Sequence, residues 1–309
     1  VFDSSGAYLR SFGSYGYGCN QWRYARQFTI YDDKIYLTDT YNHKIKVMSL
    51  SGGCITSKSS DHLYPHAIAA SSSHVYVGFT SWSSQGNLIR VFQRSGINNG
   101  VSHNTNIYKS NGKISYAWGM SLNGAENKLI VADYYTRSGQ LVEFSVNGTS
   151  LSYLQRSGSA TFTYAVDAGY DSNGNIYGLD LYKHRIIKFN SSLALQATSG
   201  GYSTTTAFRY PYGMHIDSND KIYVTDFYNY AVRQYNTSLS LQTTYGGAGG
   251  TLLDAAKKVI KKIVSNTDLT SGANFGLMQW ASSNNIRVKI SDTGAKSIYT
   301  DVDNLRASG

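Results

Sequence analysis

Along residues 1 to 249, apolar and polar positions alternate in short runs, the period-two pattern of strands that bury their faces. Four runs end in an acid: Ile35-Tyr36-Leu37-Thr38-Asp39, Leu129-Ile130-Val131-Ala132-Asp133, Ile176-Tyr177-Gly178-Leu179-Asp180 and Ile222-Tyr223-Val224-Thr225-Asp226. Each leads through an aromatic residue into a second strand. A degenerate fifth copy is Val75-Tyr76-Val77-Gly78-Phe79 with Leu88-Ile89-Arg90-Val91-Phe92. A leading strand precedes every copy, as in Phe28-Thr29-Ile30, and an outer strand follows, as in Leu239-Ser240-Leu241-Gln242-Thr243-Thr244. Asp32-Asp33 and Asp171-Ser172-Asn173-Gly174-Asn175 supply turn chemistry between strands.

The markers 39, 79, 133, 180 and 226 recur every 40 to 54 residues, and repeats of that size built only of strands predict the blades of a β-propeller. The opening Val1 to Gly13 reads as half a blade, with an outer strand over Tyr8 to Phe12. The ring is therefore expected to have six blades, one incomplete, or five with a spare strand. Lacking an initiator Met and a signal-peptide pattern, the start reads as a cut or processed end.

After the glycine-rich joint Gly246 to Gly250 the period changes. Leu253, Ala256, Val259, Ile260 and Ile263 share one helical face, with Lys257, Lys258, Lys261 and Lys262 off it. Strands over Asn274 to Trp280 and Ile286 to Ile290 follow, so 250–309 is expected to be a short, incomplete α/β segment.

Tyr41-Asn42-His43-Lys44-Ile45 and Tyr182-Lys183-His184-Arg185-Ile186 resemble the NHL repeat family over residues 1–249, which implies a propeller used as a binding platform or as an enzyme. The tail, with Phe275-Gly276-Leu277-Met278 and Ile298 to Gly309, resembles part of a von Willebrand factor A domain of the PilY-type pilus-tip adhesins. That resemblance implies a fragment of a bacterial type IV pilus-associated adhesin in which a propeller is inserted. Such domains hold a divalent cation through an Asp-x-Ser-x-Ser loop. Here Asp3-Ser4-Ser5-Gly6-Ala7 has Ala7 in place of the second Ser, so no metal is assigned.

With 41% apolar residues, 14% aromatics and 15% charged residues, the chain is not disordered by composition. Net charge is +6 up to Gly250 and +3 beyond it, without a long basic run, which argues against a nucleic-acid partner.

Asp39, Asp133, Asp180 and Asp226 recur at one blade position and are expected to hydrogen-bond across a turn. Tyr41, Tyr135, Tyr182 and Tyr228, two residues further on, are the candidate ligand-binding ring on one face. His66 and His215 do not make a three-ligand metal site, and no nucleophilic triad or phosphate loop is present. Cys19 and Cys54 are the candidate disulfide, two free thiols being the alternative. Asn147-Gly148-Thr149, Asn190-Ser191-Ser192 and Asn236-Thr237-Ser238 match the glycosylation pattern, idle in a bacterial protein.

The chain is thus read as a noncatalytic binding and adhesion module without cofactor, extracellular or at the cell surface. Its expected partners are a protein or glycan ligand and pilus components. The alternatives are a metal-dependent propeller lyase or hydrolase and an RNA-binding platform.

Overall fold

The computed structural model describes residues 10–60, 64–80, 88–98, 104–109, 113–134, 139–158, 161–202 and 208–246. After β1 (Ser14–Tyr15) and β2 (Gln21–Trp22), the first sheet holds β3 (Ala25–Tyr31), β4 (Lys34–Asp39), β5 (Lys44–Ser49) and β6 (Cys54–Ser59). The second holds β7 (Pro65–Ala70), β8 (His74–Phe79), β9 (Leu88–Gln93) and β10 (Asn104–Lys109), with the short helix α1 (Arg94–Asn98) after β9. The third is β11 (Ala117–Leu122), β12 (Lys128–Asp133), β13 (Gln140–Asn147) and β14 (Ser150–Arg156). The fourth is β15 (Ala165–Tyr170), β16 (Ile176–Asp180), β17 (Arg185–Phe189) and β18 (Leu195–Gly200). The last is β19 (Pro211–Ile216), β20 (Ile222–Asp226), β21 (Ala231–Tyr235) and β22 (Leu241–Gly246). Each is an antiparallel meander, and β3, β7, β11, β15 and β19 pack in succession as inner strands. The fold is a mainly β, five-bladed propeller.

Alternation along the strands makes the core. In β12, Leu129 and Val131 pack toward Ala67, Tyr76 and Val91 of the second blade, while Ile130 and Ala132 pack toward Phe162, Ile176 and Ile187 of the fourth. Successive side chains of a strand point to opposite faces, so one apolar run serves two interfaces. Close approach explains why the second copy departs from the pattern: a β-carbon on Gly78 would collide with that of Ala117. Between β3 and β4, Asp32 and Asp33 take φ of 51° and 54°, as a two-residue hairpin requires.

The ring is least closed at its ends. β7 is buried along its whole length, whereas β3 is only half-buried throughout and β19 largely so. Beside the first blade, the described part of the expected outer strand over Tyr8 to Phe12 is irregular from Arg10 on, Tyr8 and Leu9 lying outside the described residues, and β1 and β2 make a two-stranded parallel ribbon. Three contacts hold it there. The buried Lys46 ammonium donates to the carbonyls of Gly18 and Gln21 while pairing with Asp39 at 3.1 Å. A disulfide joins Cys19 to Cys54, at the start of β6, with Cα atoms 5.7 Å apart, and Arg10 donates to the Leu50 carbonyl at 2.7 Å. The α/β segment expected over 250–309 lies outside the described residues. Among the described residues, no helix is long and apolar enough to cross a membrane.

Candidate functional site

Every second strand ends at one end of the propeller, and in four of the five blades its last residue is an acid that turns back into its own blade. Asp39 Oδ1 accepts the Arg23 N–H at 2.7 Å, Asp133 Oδ1 accepts those of Ser115 and Tyr116 at 3.0 and 2.7 Å, and Asp226 Oδ1 accepts that of Arg209 at 2.7 Å. Asp180 accepts the Thr163 N–H at Oδ2 and the Tyr164 N–H at Oδ1, at 3.1 and 3.4 Å. The second oxygen takes Lys46, Gln140, Arg185 or Arg233 from the third strand. All four acids are buried. Burial pushes the Asp133 and Asp226 carboxyls up, against hydrogen bonds that pull them down. Their role is the expected one, structural bonding across a turn.

What these turns present is a tyrosine from each blade, just before the inner strand: Tyr24, Tyr64, Tyr116, Tyr164 and Tyr210. Tyr24, Tyr64 and Tyr210 sit in the left-handed region at φ of 54–56°, a costly conformation for a bulky residue. Histidines of the repeat hold two of them: His43 Nδ1 accepts the Tyr64 N–H and His184 Nδ1 that of Tyr210, each at 3.0 Å. The site expectation had passed over this inner set, although its distance of 15 to 17 residues before each marker is visible in the chain.

The outer tyrosines of the candidate ring lie over the inner ones. Tyr41, Tyr182 and Tyr228 are 44%, 51% and 45% exposed, and Tyr135 lies outside the described residues. Rings follow one another around the end: Tyr134 to Tyr164 at 4.6 Å, Tyr164 to Tyr182 at 4.7 Å, Tyr182 to Tyr210 at 5.6 Å and Tyr210 to Tyr228 at 5.1 Å. A shorter arc runs Tyr24, Tyr41, Tyr64. Packing and exposure coexist here, because each ring leans on the next while its rim faces water.

Nearer the axis, a bulge in each inner strand carries Arg26, His66, Trp118, Val166 or Tyr212. The His66 ring lies 4.1 Å from Trp118, which stacks on Tyr134 at 4.3 Å. Nδ1 of His66 is 2.7 Å from the Trp118 carbonyl, so it carries the proton and donates, leaving Nε2 a bare acceptor. Burial, reinforced by the nearby Arg26 guanidinium, holds this imidazole down at about 3. Burial also raises the Tyr134 phenol to about 12. His215 lies deeper, in β19, and among the described residues no group of three or more His, Cys, Asp or Glu could hold a metal ion.

Exposed chemistry at this end is of two kinds. The large apolar groups are rings, among them Tyr24, Tyr41, Tyr182, Tyr202, Phe227 and Tyr228, whereas Leu50, Ile55, Leu195 and Leu241 lie toward the opposite end. Among the described residues, the charges that remain beside these rings once the four acids are spent include two arginines. Arg26 lies over Tyr24 and Trp118 at about 6 Å, and Arg209 over Tyr202 and Tyr228 at 5.6 and 5.8 Å. Such an end offers stacking, hydroxyl hydrogen bonds and guanidinium donors.

No protein family and no curated protein matches the chain. Solved structures similar to it include that of a nidogen/laminin complex, at 16% identity over 69% of this chain and 75% of that one, with a TM-score of 0.54. A streptogramin B lyase is similar at 14% identity over 73% and 70%, with a TM-score of 0.55. A catalytically inactive virginiamycin B lyase from Staphylococcus aureus with quinupristin is similar at 12% identity over 74% and 70%, with a TM-score of 0.53. The expectation of a noncatalytic chain is corrected by these likenesses, since propellers of this build include enzymes. At such identities, what the comparisons and this chain share is the propeller fold.

Proposed function

We propose that the protein is a binding module whose tyrosine-rich end takes a protein or glycan ligand at a cell surface. The continuous aromatic arc from His66 to Tyr228 carries this reading, because it places half-exposed phenols around one end and leaves aliphatic groups elsewhere. Tyrosine gives large contact area at small entropic cost. An extracellular setting is supported by the Cys19–Cys54 bridge, which persists where thiols are oxidised. The NHL-like repeat, the von Willebrand factor A-like tail and a place in a pilus-associated adhesin belong to the same proposal, resting on the residues that carry those resemblances.

Glycan and ectodomain arrays test it. Replacing Tyr41, Tyr182 and Tyr228 together by Ala is expected to abolish retention. The same change at Leu50, Leu195 and Leu241 is expected to leave it intact. Equal binding by both variants would overturn the reading.

A further inference from the structure

Two polar groups at the mouth of the axis have unused capacity. Arg26 makes no hydrogen bond or ion pair with any described residue, and its Nε is shielded from solvent. His66, 4% exposed, has its Nε2 acceptor unpartnered. Buried polar groups are nearly always satisfied, so an orphaned pair beside one stacked indole needs an explanation. Neither demand is met by a metal: the guanidinium repels a cation, and no ligand cluster accompanies His66 among the described residues.

The two demands are complementary. Arg26 needs an anion, ideally a carboxylate that matches its fork of donors. Nε2 of His66 needs an O–H or N–H that donates to it. Trp118 and Tyr134, stacked at 4.3 Å, need an apolar or C–H face. A uronate-type sugar residue supplies all three within one ring: a carboxylate, neighbouring hydroxyls and a C–H face. An acidic peptide side chain supplies only the first. A second cation, Arg209, lies over Tyr228 further along the same end with its Nε equally unpartnered, so the acid of a following residue also has a receiver.

We infer that the mouth of the axis is a subsite for an acidic sugar residue, with its carboxylate on Arg26 and a hydroxyl donating to His66 Nε2, beside the Trp118–Tyr134 stack. This rests on the reading of the tyrosine-rich end as the ligand-binding end and names the ligand class there.

The test titrates the full chain with oligogalacturonate, with its methyl-esterified form and with poly-glutamate. Calorimetry reads affinity and nitrogen NMR reads His66 Nε2. The free acid is expected to bind at least about tenfold more tightly than the ester. Arg26→Gln is expected to remove that difference with little change in melting temperature, since the arginine side chain makes no hydrogen bond or ion pair with any described residue and lies over Tyr24 and Trp118 only at about 6 Å. The Nε2 resonance is expected to move with the free acid in the wild-type chain. Equal affinity for acid and ester, a still Nε2 resonance, or poly-glutamate competing as well as the sugar would each overturn the proposal. If the oligosaccharides fail but another array ligand is lost in the Tyr41, Tyr182 and Tyr228 variant, the subsite falls and the wider reading stands.

Discussion

The two ends of the propeller use the same residue type for opposite purposes. At the tyrosine-rich end, Asp39, Asp133, Asp180 and Asp226 point inward and are consumed by backbone N–H groups and basic partners. At the other end two hairpin acids stay near the surface: Asp220 accepts the N–H and hydroxyl of Ser172 from the neighbouring blade, and Glu126 does the same for Ser72, whereas Asp171 is buried in its own hairpin. Among the described residues, one end therefore shows water rings and arginines, the other some of its carboxylates. The difference comes from strand direction, because an acid that ends an ascending strand meets the next turn of its own blade, whereas a hairpin acid meets solvent and a neighbour.

That contrast breaks most readily at Asp226. Asp226→Ala leaves the Arg233 guanidinium, 2.7 Å from the lost oxygen and almost wholly buried, without its carboxylate, at a cost of about 3–5 kcal/mol. Asp220→Ala at the opposite end is expected to cost about 1 kcal/mol. Urea denaturation of the two variants measures the gap, and equal losses would erase the distinction drawn between the ends.

Between the ends, Asp167 and His66 pull stability in opposite directions with pH. Burial raises the Asp167 carboxyl to about 7, so its favourable protonated state is complete below the unfolded value near 4 and is lost as pH rises through 7. His66, held at about 3, contributes stability above about 6.5 that is lost as pH falls toward 3. Asp167→Asn is expected to remove a fall of about 4 kcal/mol between acid and mildly alkaline pH. Denaturation curves at pH 4 and pH 8 check it, and parallel curves for variant and wild type would count against it.

Next in size is the bridge at the edge of the first blade. Closing the 35-residue separation between Cys19 and Cys54 is worth about 3–4 kcal/mol by chain entropy. Melting with and without reductant reads it, and mass after alkylation without reduction shows whether the thiols are bridged. The smallest effect belongs to the exposed rings. Tyr182→Ala is expected to change stability by less than about 1 kcal/mol while weakening ligand retention, which separates surface function from support.

Strand pattern, blade spacing and the job of the four acids are legible in the sequence because each recurs at a fixed phase. The inner tyrosines recur as regularly, yet they precede the strands, three of them in the left-handed region, where period-two reading has no purchase. Bulges hide the axis. They shift the inner strands so that His66 aligns with Arg26, Trp118 and Tyr212, and His215 with none of them. The ribbon of β1 and β2 rests on contacts that no local pattern encodes, chiefly those of the buried Lys46 with Gly18 and of Cys19 with the distant Cys54.

Gln27 laces the first three blades together at the axis. Its amide accepts the Ile68 N–H at 2.8 Å and the Met120 N–H at 3.2 Å, and donates to the Met120 carbonyl at 3.1 Å, reaching from the first inner strand past the second to the third. One amide therefore links three inner strands that share no backbone ladder. The half-buried first inner strand, at an end of the ring, is tied to the second and third by a side chain as well as by packing, so its hold on the ring depends on one residue next to Arg26.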